Sequence, residues 1–269
     1  MLVDAHAHVW GSEMLDVGWL QADAASRIRR PFGIEQLGRE LTHDGVDRVV
    51  LVAADETDAG NLRLLEVASR SVRVGAVVAW ADPADSRIAE KIAVLRSAPG
   101  GGLLRGVRVS AGGAGAQWWW SRDVISGLAS VRDHGLAVDV LADEDELSAL
   151  AAVTRGLPGL RLIVDHLGGP AASSRKRWYD GILELAGVED TQLKVSGSPV
   201  FADDFGGLLR SARDAFGASR LIAGSDWPVS ILHGGGGWRR VLETASDWTD
   251  DERTELVGGT ATRSYGITA

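Results

Sequence analysis

The chain has 269 residues, 45% hydrophobic and 24% charged, which suits a globular protein and is long enough for one α/β barrel. A formal net charge of −9 excludes the attraction that nucleic acid or an anionic membrane surface requires. The lack of cysteine excludes disulfides and thiolate metal sites, and no apolar run approaches a membrane span.

The opening segment Val3-Asp4-Ala5-His6-Ala7-His8-Val9-Trp10 reads as a buried strand. Alternation would put His6 and His8 on one face above Asp4, with Val3, Ala5, Ala7 and Val9 on the other. Two imidazoles spaced in this way can grip a metal ion or one polarised oxygen. This strand begins at residue 2 and leaves no room for a signal peptide, so a cytoplasmic protein is expected. Residues 11–32 read as a loop covering the mouth of the fold, with Trp19, Arg27, Arg29 and Arg30 in it. A helix is expected over 34–44, stopped by Gly45, then a strand buried on both faces over 46–54. The helix over 57–70 is expected to turn Leu62, Leu65 and Ala68 inward. Residues 74–81 form the third strand, carrying Trp80, and Pro83 opens the next helix.

Strand four covers 103–110. Gly112, Gly113 and Gly115 lack phosphate-loop spacing and read as a hinge or tight turn, with Trp118, Trp119 and Trp120 as packing or a lid. Loops 11–32, 112–120 and 230–237 are expected to set the size of the pocket. Helices over 121–134, 143–154, 174–186 and 203–216 separate strands at 136–141, 160–164, 193–196 and 220–223, and closing helices follow from Trp238. Eight apolar strands alternating with helices require parallel crossovers. They predict a (β/α)8 TIM barrel as one domain over 1–269, with a doubly wound open sheet as the structural alternative.

In such a barrel the working residues stand at the carboxyl ends of strands. Those tips hold His6 and His8, Arg108, His166 and, just past strand eight, Asp226. Strands one and eight adjoin on closure, so Asp226 should approach the two histidines, with His166 across the mouth. His6, His8, His166 and Asp226 are the candidate catalytic residues and the candidate metal ligands. The histidines, or a cation they hold, would polarise a carbonyl oxygen, while Asp226 takes a proton from attacking water. Arg108, Trp80 and His233 are candidate substrate contacts. Asp165 is expected to point away from His166 in a supporting role. Lys194 and Ser196 share a face of strand seven, as a buried ion pair or as part of the site. His43 and His134 fall near helix ends and read as surface residues. No Gly-x-Ser-x-Gly elbow occurs, so a serine hydrolase is not supported.

Five ordered motifs carry a resemblance: Asp4-Ala5-His6-Ala7-His8-Val9-Trp10, Leu104-Arg105-Gly106-Val107-Arg108, Asp165-His166-Leu167-Gly168-Gly169-Pro170, Lys194-Val195-Ser196-Gly197 and Gly224-Ser225-Asp226-Trp227-Pro228. Together they resemble the amidohydrolase superfamily, and within it the "amidohydrolase 2" branch of lactonases acting on sugar-acid lactones and on pyrone or muconolactone dicarboxylates. The resemblance implies the barrel, a core site of His6, His8, His166 and Asp226 with Asp226 as base, and Arg108 in substrate binding. The reaction implied is hydrolysis of a small carboxylated or polyhydroxylated lactone. A non-oxidative decarboxylase of aromatic or enoic acids on the same barrel, or a degenerate binding barrel, are the alternatives. The branch usually has Gln where this chain has Ala53, and often His where it has Val109. Binuclear members use a strand-four lysine, absent here from 103–110, so at most one divalent metal such as zinc is implied, with metal-independent catalysis also open. The expected partners are a small-molecule substrate and a second copy of the chain in a homodimer, with neither nucleic acid nor membrane.

Overall fold

The computed structural model describes residues 1–14, 17–171 and 174–268. Strands β1 (Val3–Ala7), β2 (Arg48–Val52), β3 (Val74–Trp80), β4 (Leu104–Ser110), β5 (Ala137–Leu141), β6 (Leu162–Val164), β7 (Thr191–Val195) and β8 (Leu221–Ala223) form one parallel sheet in sequential order. Helices α1 (Ile34–His43), α2 (Asp58–Ser69), α3 (Ile88–Ser97), α4 (Arg122–Asp133), α5 (Leu147–Arg155), α6 (Arg175–Ala186) and α7 (Phe205–Phe216) alternate with them. After β8 come α8 (Gly237–Thr244), α9 (Asp250–Thr254) and α10 (Thr260–Tyr265). The sheet closes where Ala7 meets Trp227: the His8 N–H donates to the Trp227 carbonyl at 2.7 Å and the Asp226 N–H to the His6 carbonyl at 2.8 Å. The result is a (β/α)8 barrel.

Strands buried on both faces account for the continuous apolar runs. Val50, Val52, Ala76, Val78, Ile163 and Ile222 fill the inside, while Val49, Leu51, Val77, Ala79 and Val107 pack in the outer cluster under the helices. On α2 the inward stripe is Leu64, Leu65 and Ala68, joined by Asn61, whereas Leu62 is 40% exposed, contrary to expectation. Asn61 displaces it because a buried amide can be satisfied here: it donates to the Trp80 carbonyl at 2.9 Å and accepts the Trp80 N–H at 2.7 Å. Residues 11–32 include three short 3-10 turns, and Trp10 and Phe32 exchange backbone hydrogen bonds of 2.8 and 2.9 Å. With Leu20, Ile28 and Phe32 fully buried, much of this segment is a packed strap. Among the described residues no helix is long and apolar enough to cross a membrane.

Strand β1 departs from alternation. Asp4 pairs with Val49 and Ala7 with Leu51, so β1 carries one residue more than β2 over that interval, a bulge. Val3 and Ala5 consequently lie inside with Val50 and Val52, and Ala7 lies in the outer cluster. The expectation that Val3 and Ala5 oppose the histidines, with Asp4 below the rings, fails because of this extra residue. Asp4 instead borders a small cavity with Leu37, Leu41 and Trp238 of the helical layer. There its Oδ1 accepts the Ser225 N–H at 2.8 Å and the His6 N–H at 3.2 Å, and its Oδ2 accepts the Ser225 hydroxyl at 2.6 Å. This carboxyl latches β1 to the turn after β8.

Burial raises the Asp4 pKa from 3.8 to about 6, even though the Ser225 hydrogen bonds favour the ionised form. Between those values the folded chain keeps a proton that the unfolded chain has released, so stability falls as pH rises. Relative to Asp4→Asn, the wild type is expected to lose about 2 kcal/mol of unfolding free energy between pH ~4 and ~6.5. Urea titrations at both pH values measure this, and a pH-independent difference would refute it.

Candidate active site

His6 and His8 leave the carboxyl end of β1 as a pair, with Nε2 atoms 3.2 Å apart. Asp226 Oδ1, on the turn after β8, lies 3.4 Å from His8 Nε2 and 3.8 Å from His6 Nε2. All three residues are buried. The His166 ring, just past β6, stands with its centroid 4.6 Å from that of His6. His166, Leu167 and Asp226 are the non-glycine residues with left-handed backbone among those described, with φ of 53°, 55° and 54°. Such conformations are uncommon outside glycine and mark abrupt turns. Asp165 was expected to point away from His166, but the turn brings both side chains to His6, and Asp165 Oδ1 lies 3.2 Å from His6 Nδ1. Glycines make the space. A Cβ on Gly224 would lie 2.7 Å from His6 Cβ, and one on Gly197 only 2.5 Å from His166 Nδ1.

Each imidazole is held through Nδ1. His8 Nδ1 meets the Val52 carbonyl oxygen at 2.8 Å, His166 Nδ1 meets Ser196 Oγ at 2.9 Å, and His6 Nδ1 meets Lys194 Nζ at 3.1 Å. Lys194 is fully buried and ion-paired with Asp139 and with Asp165 Oδ1, the latter at 3.1 Å. Tyr265 donates its hydroxyl to Asp139 at 2.8 Å. Lys194 therefore belongs to a buried ion-pair network and also contacts His6, while Ser196 supports His166. Asp139 and Tyr265 were missed in the sequence, although a lone acid within the apolar run 136–141 signals a buried partner. Arg108 Nε lies 3.5 Å from Asp165 Oδ2, and its Nη1 donates to the Ala53 carbonyl at 3.2 Å. His43 is exposed and accompanied by Arg239, and His134 is half-buried at the end of α4, its Nδ1 near the Ser130 carbonyl.

Burial is the largest influence on Asp226, His6, His166, Asp165 and Asp139. It would raise Asp226, but His166, His8 and His6 outweigh it and bring the carboxyl to about 2. Burial, with Lys194 and His166 acting in the same sense, lowers His6 well below 6.5 against the pull of Asp165. His166 is lowered by burial against Asp226 and Asp165. Asp165 resists burial because Lys194 and His6 hold it well below the usual carboxylate range, whereas burial pushes Asp139 up to about 6. Near neutral pH the site presents an ionised Asp226 beside neutral His6 and His166.

A cavity of about 820 Å³ opens from this group. Trp80, Arg108 and His233 all line it, with His233 stacked on Phe201 at 5.2 Å between ring centroids. Trp19 forms another wall, and Ala53 and Val109 face the same space. The segment 112–120 does not contribute to the lining described. Trp119 is buried and donates to Glu146 Oε1 at 2.8 Å as packing, Trp118 stands edge-on against it, Trp120 is exposed, and none of the three lines the cavity as a lid would. Ligands of a tetrahedral zinc stand about 3.3 Å apart, given bonds of about 2.0 Å. The separations of 3.2 to 3.8 Å among His6, His8 and Asp226 therefore fit one divalent cation. His166 groups with His6 and Asp165 instead, so the four residues expected as ligands fall into two overlapping sets.

Gly224→Ala tests the close approach that positions His6. A loss of about 1–3 kcal/mol in stability is expected from the forced shift. Urea unfolding reads it, and an unchanged value would refute the packing role.

The model of the family described as Amidohydrolase matches residues 3–267. The chain is 34% identical over 280 residues to L-fucono-1,5-lactonase of Burkholderia ambifaria, covering 98% of this chain and 95% of that one. It is 29% identical over 290 residues to a protein of the same name from Burkholderia multivorans, covering 98% and 96%. A solved amidohydrolase from Burkholderia multivorans with bound zinc superposes with a TM-score of 0.91 at 28% identity, covering 100% of both chains. With the match running from the first strand to the last helix, the chain belongs to the amidohydrolase family.

Proposed function

We propose that the protein opens a 1,5-lactone of a polyhydroxylated sugar acid, the type of substrate that the name L-fucono-1,5-lactonase gives for two relatives. It is a lactone hydrolase. The observation that carries the finer reading is the charge around the cavity. Arg108 is the only guanidinium among its described lining residues, and that group is already engaged by Asp165 and the Ala53 carbonyl. Glu56 and Asp226 add negative charge, Asp55 being paired with Arg63 at 3.3 Å, while Ser110 and Ser198 offer hydroxyls. Such a wall suits a neutral polyol better than a dicarboxylate, which would need free cations.

In this reading Asp226 holds the attacking water and takes its proton as the new C–O bond forms. The ring C–O bond then breaks, and the proton passes to the departing ring oxygen to leave the open hydroxy acid. A carboxylate with a pKa near 2 is a weak base, so the lactone carbonyl must be polarised for the attack to succeed. His6, His8 and Asp226 would hold a divalent cation, which would supply that polarisation and increase the acidity of water; their nitrogen and oxygen donors suit zinc. His166, fixed by Ser196, faces the cavity where a hydrogen bond reaches the substrate. Trp19 and Trp80 give flat walls to the ring, Arg108 and His233 contact its hydroxyls, and the enclosure limits competing solvent.

Asp226→Asn is expected to lower kcat on sugar-acid 1,5-lactones by about 10²–10⁴-fold with little change in KM, followed as acid release in weak buffer. Unchanged turnover removes the base assignment, and release of carbon dioxide in place of acid removes the hydrolase reading. Asp226 stays ionised, and the lowered His6 and His166 stay neutral, over the whole neutral range. Hence kcat/KM, corrected for spontaneous ring opening, is expected to be flat from pH ~8 down to ~6.5. A fall centred near pH ~6.5 that persists in His233→Gln would count against this expectation.

A further inference from the structure

Two groups compete for one nitrogen of His6. Its Nδ1 lies 3.1 Å from Lys194 Nζ in hydrogen-bonding geometry and 3.2 Å from Asp165 Oδ1. An ammonium only donates and a carboxylate only accepts, so the two contacts demand opposite protonation of the same atom. His8 has no such choice. Its Nδ1 faces the Val52 carbonyl oxygen at 2.8 Å, which only accepts, so in the neutral ring His8 Nε2 carries a lone pair. That lone pair meets His6 Nε2 at 3.2 Å. One row of bonds satisfies all these partners: Lys194 donates to His6 Nδ1, His6 donates from Nε2 to His8 Nε2, and His8 donates from Nδ1 to Val52. Asp165 Oδ1 is then a buried acceptor with no hydrogen bond, and so is Asp139 Oδ1.

We propose that Lys194 and Asp165 are positioning residues that set the tautomer of His6 in opposite senses. Lys194 holds the Nε2–H form, in which the histidine pair is bonded to itself and His6 offers no ligand. Asp165 accepts the proton of the Nδ1–H form, in which His6 Nε2 joins His8 Nε2 and Asp226 as a donor set for a divalent cation. Between the two forms His6 loses a proton at Nε2, gains one at Nδ1 and stays neutral. Lys194 remains an ammonium, and its freed N–H turns to Asp139 Oδ1. Both acceptors that the second form needs are thus already in place without a hydrogen bond, Asp165 Oδ1 having only its ion pair with Lys194. Lys194 therefore weakens cation binding, and Asp165 strengthens it as carboxylates behind ligating histidines do.

This inference rests on His6, His8 and Asp226 being the cation donors, and its readouts are proton position and metal affinity, so its failure is distinct from failure of the lactone reading. The full chain, ¹⁵N-labelled at histidine and stripped with chelator, is expected to show His6 as Nε2–H and to change to Nδ1–H as zinc is added. The His6 signal is identified by its loss in His6→Gln. In competition against a chromophoric chelator, Lys194→Met is expected to bind zinc about 10-fold more tightly and Asp165→Leu about 10-fold more weakly. Loss of Lys194 leaves two buried carboxylates unbalanced, so Lys194→Met is also measured together with Asp139→Asn, with the fold checked by circular dichroism. A metal-free wild type with its His6 proton on Nδ1 overturns the proposal. Affinities that shift in the same direction, or not at all, overturn it equally. Where a variant does not fold, the wild-type spectrum decides alone.

Discussion

Two carboxylates, an ammonium and a guanidinium share the inside of one barrel, and their mutual neutralisation is the condition on which the histidine end of the fold depends. Each such ion, taken alone out of water, costs several kcal/mol to bury. Lys194 is fully enclosed, and Asp139 and Asp165 are the charges that keep it so. Tyr265 extends the same network to α10, because its hydroxyl reaches Asp139 from the end of the chain. The last helix is thereby tied to the floor beneath His6. Removing any one member leaves the others with a charge that nothing nearby can answer.

The architecture was legible because strands buried on both faces leave long apolar runs and parallel crossovers leave helix-sized gaps. Even the three-residue β8 (Leu221–Ala223) fell within the run read at 220–223. The locations of His6, His8, Arg108, His166 and Asp226 were legible for a different reason: polar side chains at the ends of such runs have no structural excuse. Their orientations were not. The bulge in β1 depends on register against β2, and the left-handed backbone at His166 and Asp226 depends on turns that local residue types do not dictate. Asn61 and Asp139 were hidden because their partners, the Trp80 backbone and Tyr265, come from other elements.

The ten tryptophans divide by depth. Trp10, Trp119, Trp178, Trp227, Trp238 and Trp248 are buried, so most of this aromatic surplus is packing. A row of edge-to-face contacts joins Trp19 to Trp10, Trp10 to Phe32 and Phe32 to Trp227, next to Asp226. Trp19 also donates to the Ala54 carbonyl at 3.0 Å, beside the cavity. The strap over residues 11–32 is consequently anchored to the turn that carries the carboxylate, and the shape of the pocket wall is coupled to the chemistry behind it.

The extra residue in β1 makes the reactive end of this barrel a matter of phase. Below it the inward positions are Val3 and Ala5; above it they are His6 and His8, with an odd step between. Regular alternation of the same residues, without the bulge, would keep Val3 and Ala5 inside and turn the imidazoles toward the helices, where hydrocarbon awaits them. One residue of phase in the first strand thus decides whether the imidazoles meet Asp226 or the apolar layer behind it.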